Sequence, residues 1–268
     1  MYTTYVKNYI SNGSEMSKKL LLFITAIVSA SCTNTSTLEP VTVISYNVGV
    51  FSKYKENSMQ EIARFVLDSD ASLVAMNELD SCNRRHPEFQ LEEFSKALGG
   101  WNFHFASALR YAGGAYGNGV VSKLPVLRKR TLQIPQFDGS ETRSCAIVET
   151  GRCVFASVHL DHRGDTARLV QARLLNEWFS AEYGGCSKPV ILCGDFNCLP
   201  DSYAIAEMRK CWTLLSGTQA TYPSDEPAKC IDYVFALKDA AQVEVLSHKV
   251  YKAIRDASDH LPIVLQFK

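Results

Sequence analysis

The sequence predicts a mixed α/β domain with two packed β-sheets rather than one parallel doubly wound sheet. Three observations point there. Short apolar runs alternate with helical patterns from Val41 onward, these runs outnumber the helical patterns, and several neighbours are separated by hairpin-length turns. Val41 to Val50 reads as the first strand. Ser58 to Leu67 follows as a helix, with Ile62, Phe65 and Val66 on one side. Leu73 to Met76 is short and wholly apolar, the mark of a strand buried on both faces. Phe89 to Leu98 is helical and stops at Gly99-Gly100, a typical C-terminal signal.

Trp101 to Ala108, Gly119 to Ser122, Val126 to Ile134, Arg143 to Glu149 and Arg152 to Leu160 read as strands. Thr150-Gly151 joins the last two as a hairpin. Thr166 to Tyr183 is the clearest helix, with Asp165 available as its N-cap. Ala167, Val170, Leu174, Leu175, Trp178 and Phe179 form its apolar stripe, which faces a core. Val190 to Cys193 is a buried strand and Ser202 to Met208 a short helix. Ile231 to Leu237, Val243 to Lys249 and Leu261 to Phe267 close the domain as strands. No repeat and no interior linker interrupts the pattern.

A chain of 268 residues holds one large domain or two small ones. Its 28 basic residues balance its 28 acidic ones, so charge gives no general push toward nucleic acid or anionic membranes. The N-terminus reads as a targeting signal. Lys18-Lys19 precedes an apolar run from Leu20 to Ala30, then small residues and Cys32. Such a run is too short to span a bilayer stably. Val28-Ser29-Ala30-Ser31-Cys32 is similar to a bacterial lipobox, with Ser29 where an aliphatic residue is usual. The expected organisation is therefore a lipoprotein-type signal peptide at 1–31, with Met16 as the true start, a polar tether at 32–40, and a domain at 41–268. An exported, periplasmic or cell-envelope protein held to the membrane by a lipid on Cys32 is expected, as a monomer.

Eight cysteines follow Cys32, and none forms a Cys-x-x-Cys pair, so a zinc or thioredoxin-type site has little support. Cys145, Cys153 and Cys193 lie in strand-like runs and read as small core residues. Cys211 and Cys230 flank a loop-rich stretch and are candidates for a disulfide in an oxidising compartment.

Polar groups cluster where apolar runs end, and in α/β sheets ligands gather at strand ends. Asn47 follows Ile44-Ser45-Tyr46, and Glu78 follows Leu73 to Asn77. His159 and Asp161 lie two apart, on one face of a strand that stays extended. Gly194-Asp195-Phe196-Asn197 closes the run Val190 to Cys193. Asp232 inside Ile231 to Phe235 costs free energy unless it is paired. Ser258-Asp259-His260 precedes the last run. Taken singly, each has a bland reading, as a strand end, a solvated acid or a polar patch. Carboxylates and an amide suit a hard cation such as Mg²⁺, and an Asp–His pair suits proton transfer near neutral pH.

The ordered set resembles the endonuclease/exonuclease/phosphatase superfamily, which includes deoxyribonuclease-I-like nucleases, sphingomyelinases and inositol polyphosphate 5-phosphatases. Tyr116-Gly117-Asn118-Gly119-Val120-Val121-Ser122 is similar to the family's Gly-Asn-x-x-x-Ser stretch, and the resemblance runs from Val41 to Lys268. It implies a four-layer sandwich: two central mixed β-sheets flanked by helices, with one active site at the strand ends. It also implies Mg²⁺, or Mn²⁺, held mainly by Glu78 with Asn47 and Asp259 nearby. By the same resemblance, Asp195 and Asn197 position the attacking water and Asp195 helps deprotonate it. Asp232 orients His260 and keeps it charged, and His159 bonds a non-bridging oxygen or assists the leaving group. Asn118, Asp161 and Arg143 are implied substrate contacts. For Arg143 and Arg163, surface solvation is the competing reading.

Asn77 stands where the family usually has Gln, which keeps an amide but shortens it. The stretch around Asp80, Arg84 and Arg85, with Gly113-Gly114-Ala115-Tyr116, resembles an exported bacterial branch more than the nucleases. The expectation is a metal-dependent hydrolase of a phosphodiester or phosphomonoester, of a lipid or inositol-type headgroup. A secreted Mg²⁺-dependent nuclease is the alternative. An inactive binding module on the same fold is a third reading, against which stands the completeness of the metal, water-positioning and His–Asp sets.

Overall fold

The computed structural model describes residues 39–268. The expected signal peptide, Cys32 and most of the tether lie outside the described residues. The first half of the domain runs β1 (Val41–Asn47), a 3-10 turn (Gly49–Phe51), α1 (Met59–Asp68), β2 (Leu73–Ser81), α2 (Gln90–Ala97), β3 (Asn102–Tyr111) and β4 (Gly114–Ser122). The second runs β5 (Val126–Ile134), β6 (Arg143–Thr150), β7 (Val154–His159), α3 (Asp165–Tyr183), β8 (Val190–Asp195), α4 (Tyr203–Cys211) and β9 (Trp212–Leu214). β10 (Asp232–Leu237), β11 (Val245–Val250) and β12 (Ile263–Phe267) complete it.

Two six-stranded sheets result, ordered β11-β12-β1-β2-β4-β3 and β5-β6-β7-β8-β10-β9. Each has one parallel pair at its centre, β1 with β2 and β7 with β8, and antiparallel pairs outside. A parallel pair needs a crossover, and α1 and α3 supply the two. The polar words at the ends of β1, β2, β7 and β8 therefore come to the same end of the two sheets.

The core has three apolar layers, as the four-layer reading requires. Val43, Leu73, Val148, Phe155, Ile191, Val234 and Leu265 pack between the sheets. Ile44, Ile62, Val66, Met76, Leu91 and Phe94 pack the first sheet against α1 and α2. Leu175, Phe179, Leu192, Ile205, Met208 and Trp212 pack the second sheet against α3 and α4. Each such side chain taken fully from water stabilises the fold by about 1.5–3 kcal/mol.

Several local expectations are corrected. The first strand ends at Asn47, because Gly49, Val50 and Phe51 turn with positive φ of 51, 48 and 55°. β2 runs on past Met76 to Ser81, with a register shift between Met76 and Leu79. Gly164, not Asp165, is the N-cap of α3, and Asp165 sits in the first turn paired with Arg168. The buried face of α3 also carries Arg168, Gln171 and Asn176, which the apolar stripe did not reveal. Arg168 and Gln171 bond the backbone of Asp161, while Asn176 joins α4 and Trp212. Cys211 and Cys230, the candidate pair, are free thiols. β9 went unforeseen: three residues carry no readable period.

Gly194 has φ +146°, and a Cβ there would lie 1.8 Å from the Val158 carbonyl oxygen. That close approach lets β7 and β8 converge beside the site. Gly194→Ala is expected to destabilise by about 3 kcal/mol or more in urea unfolding, whereas Gly151→Ala, with open space around it, shifts stability by less than about 0.5 kcal/mol.

Candidate active site

Asn47 ties the two sheets together. Its Oδ1 accepts from the Gly49 amide at 3.1 Å, which fixes the orientation of the amide group. Nδ2 then donates to Glu78 Oε1 and to Asp195 Oδ2, each at 3.1 Å. Asn47 thus presents its N–H₂ to the acidic groups and lies directly beside Glu78, the expected main metal ligand. Glu78 reaches the cleft because the β2 register shift falls at it and its φ is +58°. That conformation is uncommon for a non-glycine residue and clusters at functional sites.

Asp195, the last residue of β8, is buried. Its Oδ1 accepts from the Asn197 amide at 2.8 Å, and its backbone N–H donates to Asn77 Oδ1 at 3.0 Å. Asn77 also donates to the Val158 carbonyl at 2.9 Å and to Asn118 Oδ1 at 3.2 Å. The shorter amide in place of Gln is therefore fully used. Burial raises the Asp195 carboxyl pKa well above the ordinary range, against the pull of the nearby His260 charge.

His260 Nδ1 lies 2.9 Å from Asp232 Oδ2, and Nε2 lies 3.6 Å from Asp195 Oδ2. Thr221 Oγ1 donates to the same Asp232 oxygen at 2.5 Å. Ser258 Oγ donates to the Asn47 carbonyl at 2.7 Å, which brings the loop before β12 against β1 and sets His260 in place. Burial alone opposes the imidazolium, but Asp232 and then Asp195 outweigh it and raise the pKa to about 10. His159 is the opposite case. Burial, then the charges of Arg143 and His260, hold its pKa well below the ordinary value. Asn197 Nδ2 donates both to the Leu160 carbonyl, at 3.1 Å, and to His159 Nε2, at 2.9 Å. Nε2 is then the acceptor and Nδ1 the protonated nitrogen, which has no partner in the described residues. The two histidines are thus one charged and one neutral.

A cleft of about 870 Å³ opens over these groups, lined by Glu78, Asp195, Asn197, His159, His260 and Arg143 among others. Arg143 is buried, 3.2 Å from Glu141 and 3.0 Å from His162. Arg163 is exposed and does not line the cleft, and neither do Asp161 and Asn118. The Asp161 carboxylate accepts from the amides of Glu141, Arg163 and Gly164, so it shapes the loop after β7. Asn118 braces Asn77 and donates to the Ser144 carbonyl at 2.8 Å. Lys53, Arg85, Tyr111, Tyr116 and Tyr222 line the cleft as well. No motif flags Lys53: only the left-handed turn after β1 brings it back over the site.

Lys53 tests whether a cation fits. Its Nζ lies 2.9 Å from Asp259 Oδ2 and 3.4 Å from Glu78 Oε1. Two carboxylates from distant parts of the chain thus already gather one positive charge. Their oxygen donors suit Mg²⁺ or Mn²⁺. Asp195, Asp232 and His260 also hold ligand atoms within 4.8 Å of one another. In that trio the Nδ1 of His260 is already 2.9 Å from Asp232, which leaves it fewer free ligand atoms.

The sequence model of the endonuclease/exonuclease/phosphatase family matches residues 44–260. The chain belongs to the endonuclease/exonuclease/phosphatase family. Members are hydrolases acting on phosphate esters and are generally dependent on divalent metals. Solved structures agree in fold. A family member from Bacteroides thetaiotaomicron is 19% identical, with a TM-score of 0.68, covering 85% of this chain and 95% of its own. The mannosyl-6-phosphatase of Bacteroides thetaiotaomicron is also 19% identical, with a TM-score of 0.69 over 85% and 99% of the two chains. The human Nocturnin catalytic domain, with bound sulfate, is 17% identical with a TM-score of 0.67, over 85% and 93%. No curated protein matches the chain by sequence.

The raised pKa of His260 has a pH signature. The stabilisation from its ion pairs is fully present below pH about 6.5, the unfolded value, and is lost as pH rises through about 10. Histidine Cε1–H resonances followed by NMR should show His260 titrating near pH 10, and Asp232→Asn should bring that titration down by several units. A His260 titration near pH 6.5 in the unsubstituted protein would contradict the pairing.

Proposed function

We propose that this chain is a divalent-metal-dependent phosphoesterase acting on a small phosphate ester, a monoester or diester of a sugar- or inositol-type headgroup. The observation that carries this reading is the convergence of Asp195, Asn197, His159 and the Asp232–His260 pair on one cleft beside Glu78 and Asp259. Asp195, buried and with a raised pKa, accepts the proton of an attacking water. Asn197 holds both Asp195 and His159 in register through its backbone and side-chain amides. The imidazolium of His260 offers positive charge to a non-bridging oxygen, and neutral His159 takes the Asn197 amide on Nε2, 3.4 Å from Asp195 Oδ2, and so helps to fix both groups. Phosphoryl transfer asks mostly for positioning and charge stabilisation, which these groups provide. Glu78 and Asp259 would hold Mg²⁺ or Mn²⁺, which supplies Lewis-acid stabilisation of charge on the phosphate when bound.

Two points support a small substrate. The cleft volume is in the range of small-molecule sites, and a structural neighbour is a mannosyl-6-phosphatase. Export rests on the basic, apolar and small-residue order of residues 18–32. The lipid anchor at Cys32 extends the proposal to headgroups near a membrane surface.

Full-length protein with Mg²⁺, offered aryl mono- and diesters, sugar phosphates, phosphoinositides, sphingomyelin and plasmid DNA, tests the reading. Cleavage of a small ester, stopped by EDTA and reduced by about a thousandfold or more in Asp195→Ala, is expected. Nicking of plasmid alone would favour a nuclease, and full rate in EDTA would sink the metal-dependent mechanism. The cation site has its own check. Lys53→Met removes the cation that two carboxylates share, so Mn²⁺ measured by electron paramagnetic resonance should bind about tenfold more tightly. Unchanged or weaker binding would move the metal away from Glu78 and Asp259.

A further inference from the structure

The cleft carries positive charge that the hydrolytic groups do not use. Arg85 is the clearest instance. Asp80, fully buried on β2 two residues after Glu78, accepts from Arg85 Nε at 2.7 Å and from Arg85 Nη2 at 2.9 Å. His86 Nδ1 lies 2.6 Å from the same carboxylate, and Gln90 Oε1 accepts the Asp80 amide at 2.8 Å. The guanidinium also lies over the Tyr111 ring, 4.8 Å from its centroid. It is therefore fixed in direction, yet its side chain is 40% exposed and lines the cleft.

A guanidinium has two edges that can bind an anion bidentately. Asp80 occupies the Nε/Nη2 edge. The Nη1/Nη2 edge bonds no protein group among the described residues and is left to the cleft.

We propose that Arg85 forms a second anion subsite, which takes an anionic group carried by the alcohol portion of the substrate. The proposal rests on the phosphoesterase reading and narrows it to substrates with two anionic groups: the scissile phosphate over Asp195 and a second on Arg85. Asp80, His86 and Tyr111 are positioning residues that hold the fork in place.

The test is made on full-length protein with Mg²⁺ and the isosteric Asp195→Asn change, so that binding is read without turnover. The probes are bisphosphates of three- to six-carbon α,ω-diols and their matching monophosphates, titrated calorimetrically. At least one bisphosphate should bind about tenfold or more tightly than its monophosphate, as a charge-assisted bidentate contact implies. Adding Arg85→Met should abolish that ratio, Arg85→Lys should restore only part of it, and Arg84→Met, at an exposed position outside the cleft, should keep it. The proposal is overturned if no bisphosphate outbinds its monophosphate, or if the ratio survives Arg85→Met. A lower unfolding midpoint in Arg85→Met with the ratio intact would assign Arg85 a structural role alone. Failure of the wild-type protein to hydrolyse any ester would sink the hydrolase reading without touching this affinity ratio.

Discussion

A charged imidazole is buried at the junction of the two sheets, and it must be paired. That requirement organises the site. His260 comes from the loop before β12 in the first sheet, and Asp232 opens β10 in the second, with 2.9 Å between them. An unpaired buried charge costs several kcal/mol, so the sheets are held at the separation the pair demands. Thr221 and Ser258 serve this pair, one bonding the carboxylate and the other anchoring the loop to β1. Asp195 lies on the far side of His260 and raises its charge further while its own proton affinity is set mainly by burial. One arrangement thus yields a fixed cation and a carboxylate able to take a proton at neutral pH.

Strain gathers at the same end of the sheets. Glu78, Asn197, Val50 and Phe51 have positive φ between 48 and 58°, which side chains with a Cβ seldom adopt. Each is over-determined by its surroundings: Asn197 by bonds to Asp195, His159 and Leu160, and the 3-10 turn by Asn47 and Gln90. Such strain persists where the rest of the fold pays for it, and here it aims Glu78 and Lys53 into the cleft.

Much of this is legible in the sequence. The apolar runs placed every strand but β9, and the ordered polar words named Asp195, Asn197, Asp232, His260, His159 and Glu78, all of which meet in the structure. What escaped has a physical reason in each case. Asp161 and Asn118 carry the right chemistry, but their polar atoms are spent on backbone and amide partners, and a motif does not show which partner wins. Arg168, Gln171 and Asn176 interrupt the apolar stripe of α3 yet face inward, because buried backbone and Trp212 need hydrogen bonds there. Lys53 and Thr221 act across loops whose path follows from a left-handed turn and a long-range contact, neither of which leaves a period in the sequence. The Cys211–Cys230 disulfide was suggested by the loop-rich stretch between them, and spacing alone does not bring two thiols together.

The account stands or falls on water attacking phosphorus at Asp195 with a metal bound beside it. Hydrolysis of an aryl phosphate by the full-length protein in ¹⁸O-labelled water, with the products read by mass spectrometry, addresses this most directly. The account predicts one ¹⁸O in the released phosphate product, formed with Mg²⁺ and not with EDTA. Label in the released alcohol, or label incorporated equally in the presence of chelator, would contradict it.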